Sequence, residues 1–120
     1  MAGRRPERVA HLVQVELARL LLEEAKNPRL RDIIVTGVHM SPDLRHARVY
    51  FRTLRAPGTD PDTARALERA VPFLRAEIAR ALGMRVTPEL RFAYDETPDR
   101  ADRVDALLRE AGAHEEDDEV

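Results

Sequence analysis

Apolar residues at Val9, Leu12, Val13, Leu17, Leu20 and Leu21 recur every three or four positions. That is the period of one helical face, and it predicts a helix over 6–25. Pro6 suits its first turn, where a backbone N–H has no partner to lose, and Asn27-Pro28 stops it. The period then changes to two. The β-branched run 32–41 reads as a strand, with Ile34, Val38 and Met40 sharing one parity. Ser41-Pro42-Asp43-Leu44-Arg45 is a turn. The run 46–54 alternates: Ala47, Val49 and Phe51 face a core, while His46, Arg48, Tyr50 and Arg52 face away. These two strands read as a hairpin with one wet face.

Residues 56–61 form a loop in which Asp60 caps a helix and Pro61 opens it. From 64 to 82 the apolar stripe is Leu67, Val71, Leu74, Ile78 and Leu82. Pro72 interrupts it, which predicts a helix, a break and a second helix capped by Gly83. A third strand over 88–95 carries Leu90, Phe92 and Tyr94 on one face. A short helix over about 99–111 presents Ala101, Val104, Leu107 and Leu108. The expected order is α-β-β-α-kink-α-β with a C-terminal helix. One apolar parity per strand and one stripe per helix predict an α+β fold, a three-stranded sheet with helices on one face.

The 120 residues suit one domain, with 43% hydrophobic and 35% charged side chains. A basic arm is expected at 1–5, the domain at 6–112 and a disordered acidic tail at 113–120. Cysteine is absent, which excludes disulfides and thiolate sites and agrees with a cytoplasmic location. No apolar run is long enough to predict a membrane span. The four histidines lack ligand spacing, so no metal is expected. There is no nucleophile–base set, phosphate-cradling glycine loop or dinucleotide fingerprint, so neither a cofactor nor catalysis is expected.

The net charge of −2 conceals a polarity. Residues 1–56 carry 11 basic and 6 acidic side chains, a balance of +5, whereas 101–120 carry 2 and 8, a balance of −6. Of the 20 basic residues only Lys26 is lysine. Codon usage in a GC-rich genome produces the same bias, but arginine also suits bidentate phosphate contact. Candidate RNA contacts are Arg4, Arg5 and Arg8 near the N-terminus, Arg29 and Arg31 after the first helix, Arg45 and Arg48 on the hairpin, and Arg75, Arg80 and Arg85 beside the bent helices. Aromatic residues make up only 4%, and Tyr50 is the one candidate on the wet sheet face for stacking a base. Binding by shape and phosphate contact is therefore favoured. The alternative is a protein–protein module that docks through the wet hairpin face or the acidic tail.

Taken in order, these pieces resemble the bacterial ribosome-binding factor A family over 8–108. They are Arg8-Val9, Glu16-Leu17, Asn27-Pro28-Arg29-Leu30, Val35-Thr36, the run from Ser41 to Tyr50, Phe73-Leu74-Arg75, Leu82, Arg85, Pro88 to Phe92, Asp95, Arg103-Val104 and Leu107-Leu108. The resemblance implies a type-II KH-like fold. It also implies a monomeric, non-enzymatic, cytoplasmic factor that binds 16S rRNA in the immature 30S subunit, supports late maturation and rRNA end processing, and matters most in the cold. Two departures stand out. The two-glycine RNA clamp usual in KH domains is absent. The family's alanine–any–glycine bend reads Ala70-Val71-Pro72 here, so proline replaces the glycine that would admit RNA to the backbone. The RNA role is then expected to pass through Arg75 and Arg80. Asn27 stands where the family usually has aspartate.

Overall fold

A computed structural model describes residues 4–54, 60–97 and 107–109. Helix α1 spans Arg4–Arg19 and continues as a π-helical turn, Leu20–Glu24. It begins two residues ahead of Pro6, so Arg4 and Arg5, expected in an arm, are helical. Proline is tolerated there because the first four helical N–H groups have no intrahelical acceptor. The π turn closes with Ala25 N–H donating to Leu20 O at 3.0 Å. This wider turn leaves Leu20 and Leu21 both fully buried beside Val13 and Leu17. Leu12, assigned to the same stripe, is instead 45% exposed.

A 3-10 turn, Pro28–Asp32, is capped by Asn27, whose Oδ1 accepts from Arg29 N–H at 3.0 Å. It leads into β1, Ile33–Met40. β2 spans His46–Thr53 and β3 spans Glu89–Tyr94. β2 is central, antiparallel to β1 and parallel to β3. In β2 the expected alternation holds, with Ala47, Val49 and Phe51 buried. In β1 the parity needs correction: Ile33 is buried and Ile34 is 45% exposed. Val35 pairs with Phe51 and Gly37 with Tyr50, so Thr36 is an extra residue, a bulge. A bulge inverts the in–out phase beyond it. Ile33 and Val35 therefore point inward before it, and Val38 and Met40 after it.

Helix α2 is a single 22-residue helix, Pro61–Leu82, with Pro72 inside it. The expected break into two helices does not occur. Pro72 cannot donate to the carbonyl of Glu68, but burial on both sides of it keeps the helix whole. Leu67 lies before it and Leu74 and Ile78 after it, all at most 2% exposed. Asp60 caps α2 as expected, accepting from Thr63 N–H at 2.8 Å. That bond holds the Asp60 carboxyl below its ordinary pKa. Gly83 ends the helix at φ 64°, with its N–H on Arg80 O at 3.3 Å and Met84 N–H on Ala79 O at 2.9 Å. This pair of bonds is a Schellman motif, which needs the left-handed conformation glycine supplies.

Helices and sheet enclose one core. Phe51 stands edge-on to Phe92 and Tyr94, with centroids at 6.3 and 5.8 Å. Residues 107–109 are helical and exposed. The rest of the expected C-terminal helix and the acidic tail lie outside the described residues. Among the described residues no helix is long and apolar enough to cross a membrane.

Candidate nucleic-acid interface

Three turns meet at one end of the molecule. α1 starts there at Arg4, α2 ends there at Gly83, and the β1–β2 turn lies between. The turn is built from its own side chains. Ser41 Oγ donates to Asp43 Oδ1 at 2.7 Å, and Arg45 N–H donates to the same oxygen at 3.1 Å. His46 N–H donates to Ser41 Oγ at 3.0 Å. The Ser41 hydroxyl, aided by the Arg45 N–H, holds the Asp43 carboxyl below the usual range. The turn places Leu44 at φ 62°, a left-handed conformation disfavoured for a side chain of that size. Leu44 nevertheless packs against the core.

The result is a groove with an apolar floor and a basic rim. Val9 and Leu12 of α1, Leu44, Leu82 and Met84 line it, and Arg5, Arg45 and Arg85 stand around it. All three arginines are exposed and none is in an ion pair with a described residue, although the Asp43 carboxylate attracts Arg45. Asp43, the acid in the groove, is hydrogen-bonded into the turn in its ionised form, so its charge offsets part of the basic rim. The basic surface continues onto the wet sheet face. Arg45 O accepts from Glu89 N–H at 2.8 Å, which ties the turn to β3. Two residues further along, Arg48 and Arg91 lie side by side in register, with His39 on the other side of Arg48. Neither arginine is ion-paired with a described residue. At the other end of that face, Arg52 donates to Asp95 O at 3.0 Å and covers the Tyr94 ring at 5.4 Å. Thr36 Oγ1 donates to Asp95 at 2.7 Å and lowers its carboxyl pKa.

The ten arginines expected to contact RNA thus divide. Arg5, Arg45 and Arg85 converge, and Arg48 lies next to them. Arg8 is exposed on α1, and Arg31 is exposed just ahead of β1, away from the groove. Arg4 is helical, and its side chain is not described. Arg29 is held by Asp60 and Asp62 at 3.6 and 3.5 Å, and Arg80 by Glu77 one turn earlier. Arg75 points inward. Its Nε donates to Pro88 O at 2.9 Å and its Nη2 to Thr87 O at 3.2 Å. That fork pins the segment before β3 to α2, so Arg75 holds the fold together. Arg75→Ala is expected to lower stability by about 1.5–3 kcal/mol in urea unfolding. Arg75→Lys should restore only part, because an ammonium lacks the planar fork. Sequence alone does not single out Arg91, since only the β2–β3 register sets it beside Arg48. The segment Ala70, Val71, Pro72 lies midway along α2 and away from the groove.

The fold and the groove describe a small α+β module whose arginine-rimmed surface is suited to a polyanion. A family model described as ribosome-binding factor A matches residues 5–108, and the chain belongs to that family. It is 41% identical over 120 residues to ribosome-binding factor A of Thioalkalivibrio sulfidiphilus, covering 96% of this chain and 93% of that one. The crystal structure of ribosome-binding factor A from Thermus thermophilus superposes with a TM-score of 0.65 at 29% identity, covering 74% of this chain and 94% of that one. A Thermus thermophilus homology model, fitted into a cryo-EM map of a complex of that factor with the 30S subunit, superposes at 0.55 and 35% identity, covering 73% and 96%. The type-II KH-like expectation agrees with these neighbours.

Proposed function

We propose that this chain is a non-enzymatic, cytoplasmic assembly factor that binds 16S rRNA in the immature 30S subunit and supports late maturation and rRNA end processing. The carrying observation is the convergence of Arg5, Arg45 and Arg85, from three distant segments, around one groove that Asp43 is the single acid to line. Guanidinium groups held in this way meet phosphates along a backbone and fix orientation without reading sequence. Arg48 and Arg91 extend the contact across the sheet face.

In gradient sedimentation of extract, tagged protein should travel with immature small subunits at low salt. It should leave them steeply as ionic strength rises, because phosphate contacts release counterions. Protein that stays at the top of a low-salt gradient overturns the proposal. A complex that survives ribonuclease digestion of its rRNA assigns the contact to protein docking instead.

A further inference from the structure

A second concavity lies halfway along α2, where that helix faces the turn between α1 and β1. Its floor is apolar, with Ala25, Leu30 and Ala66 buried. On its wall Phe73 is 41% exposed. Its neighbours on the same helix face are Ala66, Arg69 and Ala70, and Leu30 is the large apolar residue of the floor. The exposed part of such a ring forgoes about 1 kcal/mol of burial. Of the charged groups at the rim, two are basic and one is acidic. Lys26 and Arg69 have no acidic partner among the described residues. The acid at the edge, Glu24, is already paired with Arg19 at 3.0 Å. Asn27 uses its Oδ1 as the turn cap, which leaves its amide N–H donors available.

An aromatic face, an apolar floor, two unpaired cations and one amide donor match the parts of a nucleotide. A flat base stacks on a ring whatever its identity. Its flanking phosphates meet cations, and an amide donates to a base edge. An acidic peptide would meet the cations but covers the ring only where its own sequence places an aromatic residue, whereas every nucleotide carries a planar base. We propose that this pocket takes one unstacked nucleotide of a single-stranded RNA segment, with the base on Phe73 and the phosphates against Lys26 and Arg69. The proposal rests on the reading that the chain binds RNA, and it adds a contact separate from the arginine groove.

The test uses the full chain and a single-stranded RNA oligonucleotide carrying one 2-aminopurine. Stacking on Phe73 should quench its fluorescence. Phe73→Leu keeps an apolar side chain but removes the π face. It should abolish the quenching and weaken binding about 5- to 100-fold without changing the salt slope. Replacing both Lys26 and Arg69 with alanine should instead lower that slope by about 1.4. Far-ultraviolet circular dichroism confirms that each variant is folded. Unchanged quenching in Phe73→Leu overturns the proposal, as does equal loss on a fully paired RNA duplex. Adenosine monophosphate binding as tightly as the oligonucleotide assigns the pocket to a free nucleotide and overturns the RNA assignment. The two sites fail separately. If the groove variant below keeps its subunit affinity while Phe73→Leu loses quenching, the groove falls and the pocket stands. The reverse result removes only the pocket.

Discussion

Replacing Arg5, Arg45 and Arg85 together with alanine is expected to weaken binding to the small subunit by roughly 100-fold at low salt. Each guanidinium that meets one phosphate at the surface contributes about 1 kcal/mol, screened as exposed charge pairs are, and three such losses compound to that factor. The more diagnostic change is the salt dependence. Each phosphate contact adds about 0.7–0.9 to the slope of log affinity against log salt, so the triple variant should lose about 2–3 units of slope. The matched control replaces Arg19, Arg29 and Arg80, removing the same formal charge. Their guanidinium groups are held by Glu16 and Glu24, by Asp60 and Asp62, and by Glu77. That variant should keep affinity within about 5-fold and lose at most about 1 kcal/mol of stability per broken pair. If both triples weaken binding equally, net charge and not the groove determines association.

That contrast shows which parts of the molecule its sequence carries. Element types follow from local pattern. The stripe through Val13 and Leu17, the alternation of Ala47, Val49 and Phe51, and the Asp60-Pro61 and Gly83 caps are all set by neighbours a few residues apart. Phase and pairing are less local. The β1 run has no polar residue at the bulge to mark the change of parity beyond a threonine that any strand accepts, and only pairing with β2 shows that Thr36 is surplus. Pro72 signals a break in any isolated helix, yet the tertiary burial of Leu67, Leu74 and Ile78 outweighs that local preference. The candidate site was legible as a set of arginines, not as a subset. Arg75 and Arg85 sit ten residues apart and read alike. One is consumed by the carbonyls of Thr87 and Pro88, and the other stands free at the groove. Likewise Arg29 has Asp60 and Asp62 as partners only because the chain folds back over some thirty residues. Phe73 gives no signal of a site in the sequence, because its exposure is set by how α2 packs and not by local pattern.

The burial that lets α2 continue through Pro72 also sets the largest stability effect. Leu74 is fully buried, two residues beyond the proline, and Leu74→Ala should lower stability by about 2–5 kcal/mol through lost transfer energy and a cavity. In a domain of this size that shifts the Tm by roughly 10–25 °C. Pro72→Ala should act oppositely. It restores an N–H donor to the Glu68 carbonyl and removes the ring clash, a gain of about 1–3 kcal/mol after the unfolded chain recovers some entropy. If core burial is what suppresses the proline's preference for a break, the two changes are coupled. Pro72→Ala should then stabilise the Leu74→Ala background more than the native one, by about 0.5–3 kcal/mol in a double-mutant cycle. Helix content should follow, falling in Leu74→Ala and recovering in the double variant. Equal gains in both backgrounds would mean that the helix tolerates Pro72 without help from the core. Subunit affinity provides the functional counterpart. Leu82, Met84 and Arg85 form one side of the groove at the far end of α2, so a change of helix direction at residue 72 is carried to that wall. Pro72→Ala is therefore expected to be more stable than the native chain and to bind small subunits more weakly. A variant that is both more stable and equally tight would show that Ala70-Val71-Pro72 has no part in placing the arginines.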